Sequence, residues 1–316
     1  MLANHKVWFQ PNYHKNWQTI TVCPLCKAFN NLDIVQLEID YYEAGNDKIC
    51  PPIGGITVTS CNSCGLLYKN KIFSTIRPLS YIIHKQECQD YSFFKKESRI
   101  IQQVANKNTI DILDIGTGNG DFLEACSDDV FRRKSGLDIV KQPGIAISED
   151  GEFIFGAVDV HNIDWSGTPY DVVTMFDVLE HLYDPSIAFH NLSMFLKKGG
   201  YVSIQTGDAG NFWARKKRIS KWWYVKWLDH NIFWNERSLK YMACKFGFEI
   251  RSITKIKHRT KMNLGALKNS KALFKFIISQ IGPDICSRIY EYFGKEANCP
   301  GNPLSKDHMR AILYKY

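Results

Sequence analysis

The sequence predicts an α/β fold: a doubly wound, mainly parallel sheet with helices on both faces, preceded by a small cysteine-rich module. Three observations predict it. The apolar run "TIDILDI" (109–115) is followed at once by Gly116, Gly118 and Gly120 and then by the helix-like "DFLEAC". Successive apolar runs finish in an acid at near-equal spacing, at Asp114, Asp138, Asp159 and Asp177. Ahead of them stand two C-x-x-C pairs, "CPLC" (Cys23, Cys26) and "CNSC" (Cys61, Cys64).

At 316 residues, 45% hydrophobic and 23% charged, the chain has the composition of a soluble globular protein larger than one average domain. No apolar run approaches the ~20 residues of a membrane-spanning helix. The first twenty residues contain no apolar core of a secretory signal. With ten cysteines, this predicts a reducing, cytoplasmic setting, where metal-binding or buried thiols are favoured over disulfides. The net charge of +8 is uneven: Asn211 to Lys275 holds 17 Lys and Arg against three acids. Such a segment either faces an anionic partner or is a solvated, solubilising surface.

Each C-x-x-C turn supplies two thiolates from one small loop, and two such loops close the tetrahedral four-sulfur site that zinc prefers. The 34 residues between the pairs imply a β-hairpin insert, with "GGITVTSC" its returning strand. Residues 1–80 are therefore read as a zinc-ribbon-like module with Cys23, Cys26, Cys61 and Cys64 as ligands. A closed four-thiolate site has no open position, so its role is folding or docking. Cys50 is a spare candidate; Cys88, Cys126, Cys244, Cys286 and Cys299 lack partners at ligand spacing.

Residues 81–316 form the second unit. "YSFFKKESRIIQQV" places Phe93, Ile100, Ile101 and Val104 on one helical face. Strand, glycine turn and helix at 109–126 form the nucleotide-binding arrangement at the carboxyl edge of a parallel sheet, glycine letting backbone approach a ligand. "KSGLDIV" places Asp138 where a carboxylate accepts ribose hydroxyls. "EFIFGAVDV" and "YDVVTMFDVLEH" supply the third and fourth strands. A dehydrogenase would also place an acid on the ribose, so spacing alone leaves a nicotinamide site open.

Taken as a set, "LDIGTGNGDFLE", "LDIV", "GAVDV", "YDVVTMFDVLEHLYDP" and "LKKGGYVSIQT" resemble a class I S-adenosylmethionine (SAM)-dependent methyltransferase, in order, over about 111–206. "DHNIFWNERSLKYMACKFGFEI" and the terminal "DHMRAILYKY" extend the likeness. There Asn235 caps a helix with Leu239, Met242, Ala243 and Phe246 inward, and Gly247 ends it. "CNSCGLLYKN" resembles the zinc ribbon of one branch, whose members often modify sugars and other small metabolites. The resemblance implies a Rossmann-like sheet of seven strands, the last antiparallel.

It also implies roles. The backbone at Gly116, Thr117, Gly118 and Gly120 would receive the methionine and ribose part of SAM, with Asp114 orienting the amino group. Asp138, followed by Ile139, would take the ribose. Asp159 would face the adenine amine and Val160 would give a backbone N–H to the ring, while Phe176 would lie near the sulfonium. For an oxygen acceptor a base is needed: His181 first, His230 second, with Glu180 beside them. Asp177, Glu180 and His181 at i, i+3, i+4 share one face of a helical turn, which in some relatives binds a divalent cation and in many does not. The family's "PN" after the fifth strand is replaced by "TGD".

"NFWARKKRISKWWYVKW" reads as an aromatic, basic lid or groove for an anionic acceptor, through Arg215, Lys216, Lys217 and Arg218; a membrane-surface helix is a lesser reading. Residues 266–300 read as a helical insert that covers the site. The expected function is methyl transfer to a small, anionic or sugar-type acceptor, at an oxygen of a sugar or nucleotide-linked metabolite. Two alternatives stand beside it: an RNA methyltransferase gripping nucleic acid with ribbon and basic face, and a SAM-binding protein without catalysis.

Overall fold

The computed structural model describes residues 17–39, 42–44, 47–73, 91–139, 153–154, 160, 167–211, 214, 216–258 and 306–316. Its N-terminal part is built from short strands: β1 (Trp17–Thr19), β2 (Asn31–Leu37), the hairpin β3 (Tyr42–Ala44) and β4 (Asp47–Ile49), β5 (Ile56–Cys61), β6 (Leu67–Lys69) and β7 (Lys71–Phe73). The "ITVTSC" stretch is β5, antiparallel to β2 across the hairpin insert. Both C-x-x-C turns close alike. Lys27 N–H donates to Cys23 O and Gly65 N–H to Cys61 O (2.8 and 2.9 Å). The two residues that follow the second cysteines, Lys27 and Gly65, are both left-handed (φ 63° and 80°).

The rest alternates as the apolar runs predict. Helix α1 (Tyr91–Ala105) leads to β8 (Ile110–Ile115), α2 (Asp121–Ala125), β9 (Phe131–Leu137), β10 (Phe153–Ile154) and β11 (Tyr170–Phe176). Helix α3 (Pro185–Phe195), β12 (Leu196–Gly207), β13 (Ile232–Phe233), α4 (Glu236–Lys245), β14 (Phe248–Ile256) and β15 (His308–Lys315) follow. The main sheet has seven strands in the order β10-β9-β8-β11-β12-β15-β14. The first five are parallel, and β15 runs antiparallel to both its neighbours. β8 and β11 are buried along their whole length, as central strands covered on both faces must be. Asn235 caps α4 in a reciprocal capping box with Ser238 and Gly247 ends it at φ 75°, while Leu239, Met242 and Ala243 face inward, as the sequence predicts.

One helix face differs from its expected register. The stripe of α1 that packs on the sheet is Phe94, Glu97, Ser98, Ile101 and Ala105; Phe93, Ile100 and Val104 are only partly covered. An acid on the covered face breaks the apolar pattern, and what makes its burial tolerable is Arg310 of β15, whose Nη2 donates to Glu97 Oε1 at 2.6 Å.

The N-terminal strands are not a detached module. β13 pairs with β6 and so adds a fourth strand to the β2-β5-β6 sheet. Cys23, Leu25, Cys61, Cys64, Leu66 and Tyr68 share one core with Trp234, Leu239 and Met242, and Ile56 and Val58 share another with Trp222, Tyr224 and Phe233. Helix α4 grips the cysteine turns: Arg237 Nη2 donates to Asn62 O and Ser63 O, Asn235 Nδ2 to Gly65 O, and Lys245 Nζ to Leu25 O. Among the described residues no helix is long and apolar enough to cross a membrane. Asp159, Arg215, the 266–300 segment, Cys88, Cys286 and Cys299 lie outside the described residues, as do the side chains of Lys216, Lys217 and Arg218.

Candidate functional site

The glycine turn crosses the carboxyl ends of β8 and β9. Gly116 N–H donates to Leu137 O at 2.7 Å and Thr117 N–H to the same oxygen at 3.3 Å, pinning the turn to the next strand. Gly116 has φ +72°, and a Cβ there would lie 2.3 Å from Val178 Cγ2; Gly118 has φ +54°, and a Cβ there would meet nothing within 4 Å. The first glycine is thus required by packing, while the second faces open space, as a backbone approached by a ligand must. Asp138 accepts from Gly118 N–H at 2.9 Å, tying the second strand end to the turn. Asp114, buried at the end of β8, accepts from Thr174 Oγ1 at 2.5 Å. Gly120 caps α2, Val160 O holds Asn191 Nδ2 at 2.8 Å, and Ile139 is half exposed. Phe176 is buried edge-on to Phe122, ring centres 4.9 Å apart.

Beyond β11 the second cluster forms. Glu180, His181 and His230 bring one ligand atom each within 4.8 Å of one another. Their backbone is spliced: Asn231 N–H donates to Glu180 O (2.8 Å) and Asn231 Nδ2 to His181 O (3.2 Å). Both imidazoles turn Nδ1 to a carbonyl, His181 to Asp229 O (3.0 Å) and His230 to Tyr224 O (2.9 Å). That fixes the proton on Nδ1 and leaves each Nε2 basic. Burial, then His181, pushes His230 well below its ordinary pKa, so it is neutral. Glu180 is buried, accepts from Thr206 Oγ1 at 2.9 Å, and is pushed up by burial and by Asp177 against the opposing pull of His181. A buried carboxyl beside two imidazoles whose Nε2 atoms carry lone pairs can orient a hydroxyl and take its proton.

The expected face of Asp177, Glu180 and His181 is corrected. Residues 179–181 form a single 3₁₀ turn, and Asp177 is left-handed at φ 55°. Its carboxylate turns instead toward His258 and His308, at 4.0 and 3.9 Å. His230 takes its place in the potential cation set, since Glu180, His181 and His230 are the residues whose ligand atoms converge.

His258 and the pair Asp307–His308, which border the candidate site through Asp177, are residues that sequence reasoning missed. His308 is fully buried, with Nδ1 3.0 Å from Asp307 Oδ1, while Trp223 Nε1 donates to Asp307 Oδ2 at 2.8 Å. Burial would lower His308; Asp307, with Asp177 and Glu180, outweighs it and raises the pKa. The only signal was the repeated "DH" of 229–230 and 307–308. Lys69 was also missed. Fully buried, with Nζ on Trp227 O at 2.5 Å, it is pulled down to about 7 by burial, Asp229 opposing.

The four expected cysteines meet. All sulfurs lie within 4.8 Å of one another, Cys23–Cys64 at 3.5 Å and Cys26–Cys61 at 3.4 Å, near the ~3.8 Å edge of a tetrahedron with 2.3 Å arms. Four sulfurs this close cannot all be anionic without a cation between them. Cys23 is pulled down to about 5 by the Cys64 thiol, helped by the Cys26 and Leu25 amides, while Cys64 is pushed up. Cys50 lies outside this group, and Cys244 is exposed.

Residues 89–253, more than half of the chain, match a family model described as a methyltransferase domain. Curated relatives include the ubiquinone biosynthesis O-methyltransferases of Vibrio parahaemolyticus, 31% identical over 102 residues (30% of this chain, 43% of the relative), and of Proteus mirabilis, 31% identical over 106 residues (30% and 41%). The match thus spans less than half the length of these relatives. Solved structures of similar shape include a SAM-dependent methyltransferase from Listeria monocytogenes (TM-score 0.47, 11% identity, 73% of this chain and 100% of that one). Another is coclaurine N-methyltransferase bound to N-methylheliamine and SAH (TM-score 0.46, 12% identity, 73% and 75%). The chain belongs to the methyltransferase-domain family.

Proposed function

We propose that the protein transfers the SAM methyl group to an oxygen of a small acceptor, a sugar or nucleotide-linked metabolite. The observation that carries this reading is burial at the acceptor side: Glu180, His230 and His308 are all at most 7% exposed. An enclosed cluster suits a small molecule better than a nucleic-acid helix. The curated relatives, named for O-methylation in ubiquinone biosynthesis, point to an oxygen of a small molecule as well.

SAM fits the carboxyl edge because Gly118 leaves its side-chain space open and Asp138 stands over the same turn. When bound, it supplies a methyl carbon already activated by positive sulfur. The chain's task is alignment and exclusion of water. Asp138 takes the ribose hydroxyls and Asp114 orients the amino group. Gly116, Thr117, Gly118 and Gly120 present backbone to the methionine and ribose part. Val160 and Asp159 flank the adenine, with Ile139 beside the ribose, and Phe176 lines the sulfonium side. His181, basic at Nε2 and less buried than His230, accepts the acceptor's proton, and Glu180 orients that hydroxyl. Zinc held by Cys23, Cys26, Cys61 and Cys64 fastens the N-terminal strands under α4.

The test is methyl-labelled SAM with a small-metabolite extract in one tube and total RNA in another. Label in the metabolite pool, reduced by His181→Gln while SAM affinity stays within about twofold, supports the reading. Label in RNA overturns it, and label in neither, with SAM bound, favours a non-catalytic SAM-binding role. For zinc, metal analysis should give one ion per chain, lost in Cys61→Ser.

A further inference from the structure

A second polar group lies on the face of the sheet beneath α1, opposite the face on which Thr206 bonds Glu180. Gln205 of β12 stands opposite Arg310 of β15 and is the in-register parallel neighbour of Phe176 on β11. In-register neighbours point to the same face, so the three side chains form a row. Ser203, two residues before Gln205, shares that face, and Glu97 reaches it from α1 to bond Arg310. All four polar residues are at least nine-tenths buried: Gln205 0%, Glu97 1%, Ser203 2% and Arg310 9% exposed.

Their hydrogen-bonding capacity is nevertheless unspent. Both amide atoms of Gln205, Glu97 Oε2, Arg310 Nε and Ser203 Oγ have no hydrogen-bond partner among the described residues. Buried polar atoms in folded proteins nearly always have one, and orphans left together call for a ligand or ordered water. The set is mixed by chemistry. Arg310 Nε–H and the Gln205 NH₂ only donate, Gln205 Oε1 accepts, the ion-paired Glu97 Oε2 accepts, and Ser203 does either. A phosphate or carboxylate would satisfy the donors and be repelled by Glu97. A simple phenol offers one oxygen to five atoms, and a catechol only two, both held in the plane of its ring. Neighbouring hydroxyls, each of which donates and accepts, match the whole set.

We propose that Gln205, Arg310, Glu97 and Ser203 form an acceptor-recognition subsite for the adjacent hydroxyls of a sugar-type ring. The assignment rests on the small-molecule reading above, because Phe176, next in the row, lines the side from which the methyl is delivered. The Glu97–Arg310 pair holds the subsite rigid, and Gln205 reads the hydroxyl beside the one that is methylated.

Gln205→Met tests it, since the side chain keeps its length and loses both amide atoms. The protein is saturated with S-adenosylhomocysteine and probed by saturation-transfer NMR with glucose, rhamnose, UDP-glucose, UDP-N-acetylglucosamine and, as the phenolic arm, catechol. The expected result is that a sugar or nucleotide sugar binds wild type and binds Gln205→Met at least tenfold more weakly. S-adenosylhomocysteine affinity should stay within twofold, and thermal stability should be equal or higher. A merely structural amide would instead leave sugar binding untouched. Equal sugar binding in both proteins, or no binding by any sugar of the panel, overturns the inference, and catechol binding alone would mean an aromatic acceptor. The measurement requires no turnover, so it fails independently of the methyl-transfer reading, which only the labelled-SAM assay can remove.

Discussion

Two glycines of one turn should respond differently to the same methyl group. Gly118→Ala places a side chain at φ +54° in open space, so its cost to folding is the left-handed conformation alone, about 1–2 kcal/mol. For a chain of this size that corresponds to a fall of roughly 2–6 °C in Tm. Gly116→Ala carries the same strain at φ +72° and adds a 2.3 Å overlap with Val178 Cγ2. Overpacking adds about 1–3 kcal/mol, for a total near 2–5 kcal/mol. Ligand binding should show the reverse order of cause. In Gly118→Ala the new methyl occupies space meant for SAM, so affinity falls tenfold or more, about 1.4 kcal/mol, in a protein that is still folded. Gly116→Ala binds poorly because the turn has moved, and Val178→Ala in the same chain should restore part of its stability. Denaturation curves and titration calorimetry with SAM measure both quantities. Wild-type SAM affinity in Gly118→Ala would refute the assignment of this turn to the cofactor, and equal stability of the two variants would refute the packing argument.

Three further outcomes are expected. Asp138→Ala removes the carboxylate that holds Gly118 N–H and should weaken SAM binding tenfold or more with a modest change in Tm; unchanged affinity by calorimetry would move the ribose elsewhere. Asn235→Ala removes the α4 cap and the bond to Gly65 O, and should lose about 1–2 kcal/mol in urea denaturation; no loss would mean the cap is idle. The raised pKa of His308 gives a signed pH effect, since a group held protonated in the fold stabilises it fully below its unfolded value near 6.5 and ceases to as pH rises through the folded value. Wild type should therefore exceed His308→Gln in stability most below about pH 6.5. A gap that widens with rising pH would contradict the Asp307–His308 pairing.

What the sequence disclosed and what it withheld divide by range. The acid-ended apolar runs, the glycine turn and the Asn235 cap are local patterns, and each is visible in a dozen residues. The inward side of α1 was misjudged by one position because Glu97 looks like a solvent residue until Arg310, far along the chain, is brought over it. β13 has no strand pattern in "NIFW"; it is a strand because β6 lies beside it. Asp177 seemed to belong with Glu180 and His181 by spacing alone, but a left-handed turn, invisible in the residue type, sends its carboxylate to His258 and His308. Gln205 in "SIQT" gave no hint, since an amide in a strand attracts notice only once both its faces are seen to be covered.

The pairing of β13 with β6 couples the thiol cluster to the candidate site mechanically. Lys69 N–H donates to Asn231 O, and Asn231 N–H donates in turn to Glu180 O, so two amide links separate β6 from the turn carrying Glu180 and His181. A version shortened to begin at Tyr91 would bare Trp222 and Trp234 and leave that turn without its splint. With the proposed zinc on the four cysteines, oxidants and chelators would consequently act as remote inhibitors of the proposed transfer without ever entering the cleft.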